Sequence, residues 1–197
     1  MNDNRAWNGK TRVLAIASST GGTSALEVIL RGLPPFCVPT IIVQHMTPGF
    51  TAMLAERLNQ VSPMEVKEAA DGDILRPGLA LLAPTGLHTR LRARGGELYA
   101  ECFAGERMHG VMPAADVLFG SVAGIVKDKA IGVVLTGMGA DGAEGLLLMR
   151  ARGARTIGQD RETSVVYGMP KKAYEIGAVE FVLPLNLIAG KIISLVN

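Results

Sequence analysis

Cysteine is scarce in this chain. Cys37 and Cys102 are the only two among 197 residues. They lie far apart and outside any CxxC or His-rich context, so neither a disulfide framework nor a zinc site is expected, and a reducing compartment fits best. Charge of one sign is equally lacking: 20 Lys and Arg against 18 Asp and Glu leave a formal net charge of +2. That is too small to imply a nucleic-acid partner. The densest basic stretch, Arg90 to Arg94, alternates arginine with Leu91 and Ala93 and reads as a solvated strand face. Apolar runs extend only several residues, short of the ~20 that cross a bilayer, so no membrane insertion is expected. The opening Met1–Lys10 is polar and has no apolar signal core. These absences together predict a cytoplasmic protein.

What remains is the composition of an ordinary folded domain, with 48% hydrophobic and 19% charged residues. The length falls within the roughly 100–200 residues of one domain. Short β-branched runs alternate with helix-period segments almost from end to end. Strands are predicted at Val13–Ala17, Thr40–Val43, Met64–Lys67, Leu79–Ala83, Ile131–Thr136, Thr156–Gly158 and Glu180–Leu183. Helices are predicted at Thr23–Gly32, Phe50–Leu58, Ala115–Val126, Ala143–Arg152, Pro170–Ile176 and Leu187–Val196. Gly95-Gly96 joins Thr89–Arg92 to Leu98–Glu101 as a hairpin. Such alternation implies an α/β fold with a doubly wound, mostly parallel sheet, helices on both faces and one antiparallel hairpin. Ligands of such sheets sit outside the carboxyl ends of the strands, which directs attention to three loops.

The first strand ends in Ser18-Ser19-Thr20-Gly21-Gly22, immediately before a helix. A serine there is a candidate nucleophile, because helix-start amides can hold a tetrahedral oxyanion; capping by Ser or Thr is the competing explanation. The second strand ends in Val43-Gln44-His45-Met46, which sets an imidazole on the same sheet edge. His88 and His109 have less telling positions. The long buried strand ends in Thr136-Gly137-Met138-Gly139-Ala140-Asp141-Gly142, and an acid at that place can orient an imidazole. An N-cap aspartate is one alternative. A dinucleotide fingerprint is another, since Gly137, Gly139 and Gly142 spell G-x-G-x-x-G and Asp160 lies near the expected later acid. Against the nucleotide, Asp141 would set a carboxylate inside the loop meant to cradle a pyrophosphate. A hydroxyl, an imidazole and a carboxylate at one edge favour a hydrolytic triad of Ser19, His45 and Asp141. The G-x-S-x-G elbow is absent and the order Ser…His…Asp differs from that of the α/β-hydrolases. A non-catalytic signalling module that kept the fold is the third reading, and the presence of all three groups speaks against it.

These segments together resemble the catalytic domain of the chemotaxis protein-glutamate methylesterases, the CheB family. The likeness runs from about Val13 to the C-terminus. It rests on Ser19-Thr20-Gly21-Gly22, Gln44-His45-Met46, Pro48-Gly49-Phe50, Ala83-Pro84 with His88, and Asp116-Val117-Leu118-Phe119. It continues through Leu135-Thr136-Gly137-Met138-Gly139 with Asp141-Gly142, and Tyr167-Gly168-Met169-Pro170. The resemblance implies that Ser19 is the nucleophile, His45 the general base and Asp141 its orienting acid. The Met138 backbone amide and the Thr20 region are implied at the oxyanion site. The implied substrate is a glutamate methyl ester on the helical cytoplasmic domain of a chemoreceptor, with glutamate and methanol as products. Deamidation of receptor glutamines, a second reaction of some members, uses the same attack. No metal or cofactor is expected.

The sequence departs from the family at three places. Ala17-Ser18 stand where Gly-Ala is usual, and Val111-Met112-Pro113-Ala114 stand where many members carry His-Arg-Pro-Ser. The receiver domain that usually precedes the catalytic domain is not in this sequence. Residues 1–11 are expected to be a linker stub, and 12–197 the catalytic domain.

Overall fold

The computed structural model describes residues 12–196, so the expected linker stub lies outside the described residues. Strand β1 (Val13–Ser18) is buried at every position. Its successive side chains face opposite sides of the sheet: Val13, Ala15 and Ala17 enter one hydrophobic core, while Leu14 and Ile16 enter another. A strand buried on both faces has no polar alternation, which is why Val13–Ala17 reads as a continuous apolar run.

Helix α1 (Gly22–Gly32) leads to β2 (Thr40–Gln44), and α2 (Thr51–Val61) leads to β3 (Glu65–Glu68) and β4 (Leu79–Leu82). A hairpin of β5 (His88–Arg94) and β6 (Glu97–Phe103) precedes α3 (Ala115–Ile125), a short 3-10 turn at Lys127–Lys129 and β7 (Ala130–Val134). The chain closes with α4 (Ala143–Ala151), β8 (Arg155–Gln159), α5 (Met169–Glu175), β9 (Phe181–Leu183) and α6 (Leu185–Val196).

The sheet order is β3-β4-β2-β1-β7-β8-β9, and each neighbouring pair is parallel. Helices α3, α4 and α5 supply one core with Phe119, Leu146 and Met169; α1, α2 and α6 supply the other with Leu26, Leu58 and Ile188. Right-handed crossovers require this split, because the chain moves away from β1 toward β2 first and returns later toward β7. The expected fold class is therefore observed, with one refinement. The hairpin does not enter the main sheet but forms its own two-stranded antiparallel sheet, and Leu91, Leu98 and Ala100 fold it down onto the α3 side of the core. No helix among the described residues is long and apolar enough to cross a membrane.

The order reverses direction beside β1, so the carboxyl ends of β2, β1 and β7 meet at a topological switch point. All three loops singled out in the sequence open there.

Candidate active site

Ser19 follows the last residue of β1. Its amide donates to Thr136 O at 3.0 Å, and its carbonyl receives the Gly22 amide at 2.8 Å, which turns the chain into α1. Register between β1 and β2 pairs Ser18 with Gln44. The His45 amide continues that ladder by donating to Ser18 O at 3.0 Å, so Ser19 and His45 stand on adjoining strand ends.

The two serines have different fates. Ser18 is fully buried and its hydroxyl donates to Gln44 Oε1 at 2.7 Å. Ser19 is half-buried, and among the described residues its hydroxyl has no hydrogen-bonded side chain. Gln44, which sequence reasoning did not single out, also donates through Nε2 to the carbonyls of Ser19 at 3.0 Å and His45 at 2.7 Å. One amide thus ties both strand ends together. Its signal was position alone: a glutamine inside a buried strand end must satisfy its amide there.

His45 Nε2 lies 2.7 Å from Asp141 Oδ2, with the side chains only 11% and 4% exposed. Asp141 is also gripped by the start of α3. The Ala115 amide donates to Oδ2 at 2.6 Å and the Asp116 amide to Oδ1 at 3.1 Å. Burial pushes this carboxyl up, but the donors from His45, Ala115 and Asp116 together hold it below the usual aspartate range. A carboxylate in that state accepts, so the proton sits on His45 Nε2 and Nδ1 is left as the acceptor. Asp141 does cap a helix, though not the one it precedes: α4 begins at Ala143, and its N-cap, Gly142, brings no side-chain cap.

The glycine loop has its own structural reasons. Gly137 is buried, and a Cβ there would press on Met169 Sδ and come within 2.7 Å of Ser19 Cβ. Its amide donates to Val166 O at 3.0 Å and its carbonyl receives Gly168 and Met169. Thr136, which the sequence shows only as part of the strand-end motif, donates through Oγ1 to Thr20 O at 2.9 Å and accepts the Val166 amide at 3.0 Å. The loop is closed over its own chain and carries a buried carboxylate, so the dinucleotide reading is not favoured. Thr20 is exposed and Met138 is 75% exposed; among the described residues neither backbone amide is taken by another backbone carbonyl.

His88 is buried and braces the loop that leads to α3. Its Nδ1 accepts the Ala114 amide at 3.2 Å and its Nε2 donates to Glu106 O at 2.8 Å.

A doubly wound α/β domain that gathers a serine, a histidine and an aspartate at one carboxyl edge carries the groups that a serine-type hydrolase requires. Comparison with known proteins gives the particular family. Residues 14–192 match the family model described as CheB methylesterase. A protein-glutamate methylesterase/protein-glutamine glutaminase of Bdellovibrio bacteriovorus is 52% identical over 183 residues, covering 93% of this chain and 52% of that protein. Another so named, from Syntrophomonas wolfei, is 51% identical over 185 residues, covering 94% and 54%. The crystal structure of the Thermotoga maritima CheB methylesterase catalytic domain superposes with a TM-score of 0.93 at 41% identity, covering 95% of this chain and all of that one. This chain belongs to the CheB methylesterase family. It spans about half the length of the curated relatives it matches.

Proposed function

We propose that this domain is a protein-glutamate methylesterase in which Ser19 is the nucleophile, His45 the general base and Asp141 the group that orients it. The observation that carries the reading is the 2.7 Å bond between His45 Nε2 and Asp141 Oδ2, one strand across from Ser19. With Nε2 committed to the carboxylate, Nδ1 is the nitrogen that takes the Ser19 proton as Oγ attacks the ester carbonyl. The same proton then goes to the departing methoxide, giving methanol and an acyl-serine. Water, deprotonated by the same nitrogen, releases the glutamate. Amides of Thr20 and Met138 hold the oxyanion, where a positioned donor is worth about 10²–10³ in kcat.

The substrate on this reading is a glutamate methyl ester on the helical cytoplasmic domain of a chemoreceptor, which places the enzyme in the cytoplasm. The names of the relatives support the glutamate methyl ester as the group cleaved, and they extend it to the side-chain amide of glutamine. The test is methanol release from a methylated receptor fragment: wild type should release it, and a folded Ser19→Ala variant should not. Equal release by both would overturn the assignment.

A further inference from the structure

Behind Asp141 stands a second histidine–carboxylate pair that the scheme above leaves unused. His109 Nε2 lies 2.9 Å from Asp116 Oδ2. The other oxygen of Asp116 accepts the Gly145 amide of α4 at 2.7 Å, and its backbone amide donates to Asp141 Oδ1 at 3.1 Å. Asp116 therefore fastens the first turns of α3 and α4 to each other and to Asp141. Its side chain is 8% exposed, whereas His109 is 40% exposed. One ligand atom each from His109, Asp116 and Asp141 falls within a 4.8 Å cluster.

Two carboxylates so close and so buried repel each other strongly, because little water screens them. The burden falls unevenly. Asp141 has His45 and two amides. Asp116 is pushed up by burial and by the Asp141 charge, against the opposing pull of the Gly145 amide and His109. Asp141 and His109 act on Asp116, and Asp141 in turn feels the His45 imidazole as well as the Asp116 carboxylate. His109 is also held at φ 52, in the left-handed region, directly before Gly110. The backbone thus adopts an unfavourable conformation at the residue that reaches Asp116.

We propose that Asp116 is a positioning residue for the Asp141–His45 pair and that His109, acting through Asp116, sets the pH range over which that pair works. Removing the Asp116 charge leaves a single carboxylate behind His45, so the imidazole becomes easier to deprotonate. Removing His109 takes away the imidazole that faces the Asp116 carboxylate, so the Asp116 charge acts in full and the imidazole of His45 becomes harder to deprotonate. The two substitutions act in opposite directions, which a purely structural role would not produce.

The effect on catalysis rests on the methylesterase reading; the coupling itself does not. The experiment is an NMR titration of the His45 ring in wild type, Asp116→Asn and His109→Gln, with kcat/KM for ester hydrolysis against pH in parallel. The chain has three histidines, so assignment is tractable, and the exposed His109 side chain makes the second variant tolerable to the fold. The His45 midpoint should fall in Asp116→Asn and rise in His109→Gln, each by about 0.3 pH unit or more, with the acid limb of kcat/KM moving alike. Superimposable titrations, or movement in the same direction in both variants, would overturn the proposal. Opposite shifts in the titration without methanol release from wild type would sustain the coupling and overturn the methylesterase reading instead.

Discussion

Ser18 and Gln44 are locked together: a buried hydroxyl donates to a buried amide oxygen at 2.7 Å, and the amide nitrogen reaches on to the carbonyls of Ser19 and His45. Adjacent serines at one strand end thus differ: one holds the frame, and the other is left half-buried.

This division predicts different losses. Ser19→Ala should lower ester hydrolysis by about 10³ or more with an unchanged melting curve. Ser18→Ala leaves Gln44 Oε1 without its donor, which costs about 1–3 kcal/mol of stability, with turnover within about tenfold of wild type. Initial rates and thermal melts on both variants decide it. A stable but inactive Ser18→Ala would reverse the assignment of the two hydroxyls.

Asp141 serves the imidazole and the start of α3 at once, so its substitution should affect both. In Asp141→Asn only one oxygen remains, and the amide nitrogen must face donors. Activity should fall by about 10²–10⁴, and stability by about 1–3 kcal/mol as buried donors lose an acceptor. Wild-type stability with low activity would show that Ala115 and Asp116 do not depend on this carboxylate.

The same carboxylate makes stability depend on acid. Its folded pKa lies below the ordinary value, so its stabilisation is fully present above the unfolded pKa of about 3.9 and is lost as pH falls through the lower folded value. Asp116, held high by burial, has the opposite sign: its burden on the fold is relieved as pH falls through its folded pKa. Melting temperature against pH for Asp141→Asn should therefore be flatter than wild type below about pH 4. Parallel curves would assign the acid sensitivity to other carboxylates.

Gly137→Ala should be destabilising for want of space. The new methyl would meet Met169 and Ser19, and overpacking of this kind costs about 1–3 kcal/mol. Because Ser19 is one of the two neighbours, kcat should fall as well, while Gly139→Ala, which meets no neighbour but sits at φ +90, should lose stability through backbone strain without touching Ser19. Melts and rates on both variants separate the two effects.

Much of this was legible in the sequence, and the reasons are local. Buried strands such as β1 and β7 announce themselves as apolar runs, and glycines mark most turns, so the elements lie within a few residues of their expected bounds. Alternation in Thr89–Arg92 and Leu98–Glu101 indicates that two strands pair; it carries no information on whether they join the main sheet, and they do not. Ser19, His45 and Asp141 could be singled out because the strand-end rule needs only local order. The second role of Asp141 was hidden, since its partner amides sit 26 and 25 positions away in the chain. Gln44 and Asp116 were quoted within motifs without a role, because what they hold are backbone groups that become neighbours only in the folded chain.

The placement of β1 between β2 and β7 has a consequence for how the enzyme is made. His45 and Asp141 are 96 positions apart, and they meet only when parallel strands from both halves of the chain have paired around β1. Such distant pairings close late and slowly compared with local structure. Catalytic competence is thus a property of the completed sheet: during refolding it should return in step with the slowest tertiary signal, and no fragment ending before β7 should possess any of it.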